Sequence, residues 1–252
     1  VRLKVNHIKI IVPFYNVEKW ITYNIRSIKA QKYKNFECIL VSDQGTDNTV
    51  SIIEKEIKGD DRFKLYINEE KTGALGSTNY GINKAQPEDE DIIVVLDGDD
   101  WFPDPDVLQY LNDTYEKEQC WITYGSYVEY PAKIRGKFNR KLPDHVVEQQ
   151  LYRESEWMTS HLRTCKYKLW KRIKKEDMLT STGKYYPMCG DLPVVFPMLE
   201  MAGNRAHYID RIMHVYNRTN PANEDKVNHR LQLSIESEIR KKPKYELIKG
   251  EI

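Results

Sequence analysis

Three carboxylates stand within four residues at Asp97-Gly98-Asp99-Asp100, directly after the apolar run Ile92 to Leu96. Acids that close repel one another unless a cation or hydrogen-bond donors compensate, and a hard divalent ion with oxygen ligands is a natural compensator. Gly98 removes a side chain between two of them, which lets the backbone turn tightly and a ligand approach. The alternative is a surface turn whose aspartates cap a helix, a common use of Asp. A further acid, Asp191, precedes Leu192-Pro193 where a helix begins, and proline suits a first turn. A plain N-cap is its alternative role. The spaced oxygen ligands and terminal Glu of an EF-hand loop are not matched. No G-x-G-x-x-G follows the first apolar run, which argues against a dinucleotide-binding dehydrogenase.

The elements that must carry these acids alternate. Ile8 to Val12, Phe36 to Val41, Phe63 to Ile67 and Ile92 to Leu96 read as strands. Between them lie helical patterns: Val17, Ile21, Ile25 and Ile28; then Val50, Ile53 and Ile57, with Thr46 and Asp47 as capping residues; then Gly73 to Ala85, weakened by Gly76 and Gly81. That alternation predicts parallel strands joined by crossover helices, with ligands bound at the carboxyl ends of the strands. Leu108, Leu111 and Tyr115 mark another helix and Trp121 to Gly125 another strand. Residues 131–150 read as a long loop, of the kind that serves as a lid or mobile segment. Glu154 to Ile173 reads as helical, with Cys165, Leu169 and Ile173 at i, i+4, i+8. A last helix carries Val227, Leu231, Ile235 and Ile239 and ends in a solvated basic run, Arg240-Lys241-Lys242, before Pro243.

Composition narrows the partners. The 252 residues include 39 basic and 38 acidic side chains, so no net charge recommends a nucleic-acid backbone. With 40% hydrophobic and 31% charged residues the composition is globular, and no apolar run is long enough to span a bilayer. Cys38, Cys120, Cys165 and Cys189 show no C-x-x-C spacing and are expected to be reduced thiols. The expected location is cytoplasmic, with peripheral membrane attachment needing another segment or partner.

Several segments together resemble the family 2 glycosyltransferases. Ile10-Ile11-Val12-Pro13-Phe14-Tyr15-Asn16 is similar to that family's opening strand and loop, Val41-Ser42-Asp43-Gln44-Gly45-Thr46-Asp47-Asn48-Thr49 to its second-strand motif, and residues 97–100 to its D-x-D signature. Order and spacing agree across roughly residues 8–217. The resemblance implies an α/β chain of GT-A fold: a Rossmann-like, mostly parallel central sheet flanked by helices, with C-terminal helices on the acceptor side. It implies a domain over 1–218, with a nucleotide-sugar donor half (1–102) and an acceptor and catalytic-base half (103–218), followed by a helical extension over 219–252.

The same resemblance assigns roles. Pro13 and Tyr15 would line a nucleoside pocket with Asn16 beside them, Asp43 would accept a hydrogen bond from the base, and Asp97 with Gly98 would lie near the ribose or metal. Asp99 would ligate Mn2+ or Mg2+ bridging the donor diphosphate, with Asp97 as a further ligand. Asp191 would be the general base of an inverting transfer. His161 and Arg163 would contact phosphate or sugar hydroxyls, and Trp157 would stack on an acceptor sugar, its alternative being core packing. Arg218 and Asn220 would contact diphosphate or acceptor, with a solvated loop as the equal alternative. There are departures. Ser42 replaces the first of two adjacent acids, and Thr78-Asn79 stands where many relatives carry Arg-Asn, so Lys71 is the alternative source of positive charge beside Asn79, its other reading being an ordinary solvated lysine. No histidine stands in Tyr216 to Pro221, where some relatives bind metal; His214 lies before it in a strand and His229 after it in a helix, leaving a third ligand unassigned.

The implied partners are a nucleoside-diphosphate sugar, of UDP type, and a hydroxyl of a glycan or similar acceptor. Competing readings are a sugar nucleotidyltransferase and a sugar- or nucleotide-binding module without catalysis. The first is disfavoured because Pro13-Phe14-Tyr15-Asn16 is not a Gly-rich basic loop, the second because Asp43, Asp97, Asp99 and Asp191 are all present.

Overall fold

The computed structural model describes residues 5–250. Its first half is the expected alternation: β1 (Ile8–Phe14), α1 (Ile21–Lys29), β2 (Phe36–Ser42), α2 (Thr49–Ile57), β3 (Phe63–Ile67), α3 (Gly73–Ala85) and β4 (Ile92–Val95). β1 is buried along its whole length and pairs in parallel with β2 on one side and β4 on the other. A strand covered on both faces needs apolar residues at every position. Its alternate side chains then serve two cores. Ile8, Ile10 and Val12 join Ile21, Ile25 and Ile28 of α1, whereas Ile11 joins Leu75 and Ile82 of α3.

The glycines that weaken α3 on paper are what let it dock. A Cβ on Gly81 would stand 2.8 Å from Ile11 Cγ2 and 2.9 Å from Val41 Cγ2, both on fully buried residues. Gly81→Val is therefore expected to destabilise the fold by about 1–3 kcal/mol through overpacking, as read by urea unfolding. A neutral result would mean that α3 has room to lift from the sheet.

The second half is α4 (Val107–Glu118), β5 (Ile122–Tyr130), β6 (Ile134–Arg135), α5 (Asp144–Glu148), β7 (Thr164–Lys166), α6 (Tyr167–Trp170), α7 (Leu192–Ala202), β8 (Ala206–Asn217), α8 (Glu224–Val227) and α9 (His229–Arg240). Among the described residues the sheet has eight strands in the order β3-β2-β1-β4-β7-β5-β6, with β8 on β5. β8 runs parallel to β5, while β7 is antiparallel to both β4 and β5.

Four sequence expectations change. The helix over 154–173 does not form: Cys165 lies in β7 opposite Ile93 and Ile122, and only Tyr167–Trp170 is helical. Three apolar residues four apart also suit a short strand followed by one helical turn. The free edges of β4 and β5 need a hydrogen-bonding partner, which β7 supplies. The loop 131–150 holds β6 and α5, anchored by buried Leu142 and Val146. The last helix breaks at Asn228, whose side chain accepts from Leu231 N and caps α9, so Val227 and Leu231 are exposed and only Ile235 and Ile239 reach the core.

The basic end of α9 is docked rather than solvated. Arg240 donates to the carbonyls of Arg153 and Ser155, and Lys242 to those of Glu176 and Asp177. Past residue 218 the chain thus folds back onto the second core. A buried ion pair between Arg153 and Glu200 joins the segment before β7, α7 and α9, because Arg153 Nη1 also donates to Ile239 O at 2.9 Å.

Candidate active site

A cavity of about 1180 Å³ opens at the carboxyl ends of β1, β2 and β4 and runs to the start of α7. Its floor is the acidic turn. β4 delivers Asp97, and Gly98 N donates to Pro13 O at 3.0 Å. Gly98 is required by a neighbour: a Cβ there would lie 2.6 Å from Phe14 Cβ. The close approach that it permits is to β1.

The three acids are treated differently. Asp97 and Asp99 are half-buried and line the cavity. Burial, with the charges of Asp100 and Asp99, pushes the Asp97 carboxyl up to about 7. Burial also raises Asp99, which accepts from Asn220 Nδ2 at 2.7 Å. Asp100 is almost wholly buried. It meets His214 Nε2 at 2.7 Å and accepts from Asn217 N at 2.8 Å, so it is tied to β8 and is not a cap for a following helix. Asn24 of α1 completes the turn by donating to the carbonyls of Asp97 and Asp100 at 3.0 and 2.8 Å.

At the opposite end Pro13, Tyr15, Asp43 and Lys71 line the cavity. The Lys71 ammonium lies 3.6 Å from the centre of the Tyr15 ring, a cation–π contact. Asp43 is buried and accepts from Thr72 N at 2.7 Å, Gly73 N at 3.0 Å and Asn68 Nδ2 at 3.2 Å. It therefore holds the N-terminus of α3, where a carboxylate complements free N–H groups and the helix dipole.

Two residues assigned to the nucleotide lie elsewhere. Asn16 is outside the cavity wall; its side chain, on a backbone with φ of 51°, accepts from Thr46 N at 2.7 Å and pins the loop after β2. Thr46 Oγ1 accepts from Asn16 Nδ2 at 3.3 Å and Asp47 accepts from Thr49 N at 3.0 Å, but the N-cap position of α2 is Asn48, whose side chain makes no capping bond, so neither expected residue is the cap. Asn79 is likewise off the wall, with its amide between Tyr185 OH at 3.0 Å and Trp170 Nε1 at 3.3 Å.

At the α7 end, Asp191 is the N-cap, accepting from Leu192 N at 3.1 Å, and Arg163 Nη1 donates to its other carboxylate oxygen at 2.8 Å. The positive charge of Arg163 also opposes the upward shift of Asp97, so one guanidinium acts on both acids. His161, off any helix, stacks on His214 at 4.5 Å and on Tyr216 at 5.5 Å. Burial, then the Arg163 charge, drives His161 well below its ordinary pKa, so it is a neutral ring. Trp157 faces the cavity and packs edge-on against Phe196, also without a helix. Arg218 lines the cavity with its guanidinium over Tyr216. Asn220 is no free acceptor contact: its amide oxygen accepts from Ala222 N at 2.9 Å and its nitrogen is on Asp99.

Sequence reasoning missed Asn24 and the roles of Asn217 and His214. Asn24 had a signal, being polar on the buried stripe of Ile21, Ile25 and Ile28. The partners of His214 and Asn217 lie more than a hundred residues away. Among the described residues no three His, Cys, Asp or Glu side chains converge as a ready metal cluster, and no helix is long and apolar enough to cross a membrane. All four cysteines are free and buried.

The sequence model of Glycosyl transferase family 2 matches residues 9–182. The chain belongs to this family. Among its relatives, an uncharacterised glycosyltransferase of Haemophilus influenzae is 35% identical over 120 residues, covering 48% of this chain and 46% of the relative. The family 2 chain thus spans less than half the length of that relative. Its fold is similar to S. aureus TarS 1-349 in complex with UDP-GlcNAc, with TM-score 0.62 and 18% identity over 85% of this chain and 59% of that one. It is also similar to the mannosyltransferase PcManGT of Pyrobaculum calidifontis in complex with GDP-Man and Mn2+, with TM-score 0.57 and 17% identity over 88% of this chain and 61% of that one. The GT-A expectation, a central sheet flanked by helices, therefore holds.

Proposed function

We propose that this family 2 domain transfers a sugar, with inversion, from a nucleoside-diphosphate sugar of UDP type to a hydroxyl of a glycan or similar acceptor, with a divalent ion. The observation that carries the reading is that Asp97 and Asp99, the Tyr15–Lys71 wall and the Asp191–Arg163 pair face one cavity. UDP-GlcNAc in TarS and GDP-Man with Mn2+ in PcManGT support the donor class and the ion.

The acids fit an ion that arrives with its substrate. Burial raises both Asp97 and Asp99, the Asp100 and Asp99 charges add to it at Asp97, and Asn220 provides Asp99 with a side-chain donor. Two carboxylates plus donor phosphate oxygens make a common set for Mg2+. That explains a site without a protein-only ligand cluster. When bound, the ion neutralises charge developing on the departing diphosphate. The chain's own residues do the rest. Lys71 and Tyr15 flank the nucleoside, and Arg163 adds positive charge between the donor acids and Asp191. Asp191 takes the acceptor proton as its oxygen attacks the anomeric carbon. Arg163 and Leu192 N fix the carboxylate's orientation, and each carboxylate oxygen keeps another lone pair for that proton.

Isothermal titration with UDP, and donor consumption across a nucleotide-sugar panel with and without Mn2+, test the reading. Asp99→Asn is expected to raise the Kd for UDP measured with Mn2+ by about tenfold or more, equivalent to ~1.4 kcal/mol. If no donor is bound or consumed under either condition, the proposal fails.

A further inference from the structure

We infer that His214 is a positioning residue for the acidic turn, holding Asp100 on β8 so that Asp97 and Asp99 are presented to a cation. The inference rests on the proposed metal-assisted site and concerns a residue outside its expected ligand set.

The argument starts from an asymmetry in the His214 ring. Its Nε2 lies 2.7 Å from Asp100 Oδ2, while the buried Nδ1 has no hydrogen-bond partner among the described residues. An imidazole with one bare nitrogen and a carboxylate at the other is a neutral ring donating its Nε2–H. The ring also stacks on His161 at 4.5 Å and 17°. An apolar ring of the same shape would stack as well and leave no orphan nitrogen. What the imidazole adds is the bond to Asp100.

That bond matters because Asp100 has little else. Its other oxygen accepts from Asn217 N at 2.8 Å, and its side chain is 1% exposed. Without the imidazole donor, a buried carboxylate next to Asp99 would keep one strong partner. It would turn toward any other compensating charge, Arg163 or a cation held by Asp97 and Asp99. The turn would then compete with itself for the cation. With His214 in place, both Asp100 oxygens are committed to β8. A positioning contact behind metal-ligating groups is worth about 10–100-fold in metal affinity.

The test is a Mn2+ titration at saturating UDP, followed by electron paramagnetic resonance, together with metal-free UDP affinity and melting temperature. His214→Phe keeps the stacked ring and deletes the donor. It is expected to raise the Kd for Mn2+ by about tenfold or more while metal-free UDP affinity moves less than about twofold. His214→Gln, whose amide can donate to the same carboxylate, is expected to recover Mn2+ affinity to within about threefold of wild type, and it decides the matter should the Phe variant not fold. Unchanged Mn2+ affinity in a folded His214→Phe, or a tenfold loss in a folded His214→Gln, overturns the inference. Asp99→Asn is the reference. If it loses Mn2+ while His214→Phe does not, the positioning role alone falls; if Asp99→Asn also binds Mn2+ normally, the proposed metal site falls with it.

Discussion

Asp191→Asn is expected to lower the rate of transfer by about 10²- to 10⁴-fold, the usual worth of a general base, while UDP affinity in the presence of Mn2+ changes little. The amide oxygen of Asn can still accept from Leu192 N, so the start of α7 survives the change. What is lost is the capacity to take a proton and the ion pair with Arg163, whose guanidinium would face an amide nitrogen that cannot accept. Single-turnover transfer measured beside isothermal titration separates these effects. Equal losses of binding and turnover would assign Asp191 to donor binding instead and remove it as the base.

The largest stability effect is expected far from the chemistry. The side chains of Arg153 and Glu200 are 4% and 0% exposed and paired through two guanidinium nitrogens. Tyr245 N donates to the same glutamate at 2.9 Å, and Arg153 reaches Ile239 O, so the pair gathers α7, α9 and the chain beyond it. Removing one partner strands the other's charge in the core. Arg153→Ala or Glu200→Ala is expected to cost about 3–5 kcal/mol, or roughly 10 °C in Tm for a chain of this size. Replacing both, as Arg153→Met with Glu200→Leu, is expected to restore most of it, because two apolar residues leave no stranded charge. Thermal unfolding of the three variants decides; a single variant within about 1 kcal/mol of the parent would show that water reaches the site.

The first half was legible because β1, β2 and β4 are buried on both faces and its helices carry apolar stripes, so local pattern and final structure agree. Asp97, Asp99 and Asp191 were singled out because each stands at the end of a strand or the start of a helix, and Asp43 through the resemblance of the segment that carries it. The second half hid its structure in pairings that no local window contains. β7 is three residues long and exists because β4 and β5 flank it. Asn16 and Asn79 were placed on the nucleotide by their neighbours in sequence, yet both amides are occupied by the protein itself. His214 was visible as a strand residue, and only folding shows that it meets Asp100.

The acidic turn is fastened from both directions along the chain, by Asn24 before it and by His214, Asn217 and Asn220 long after it. The boundary expected near residue 102 is thus not a place to cut. A chimera that grafts another relative's second half onto these first hundred residues would keep the acids and discard the His214 and Asn220 side chains that fasten them. Exchanging acceptor specificity by swapping halves therefore requires carrying the end of β8 along with the donor half.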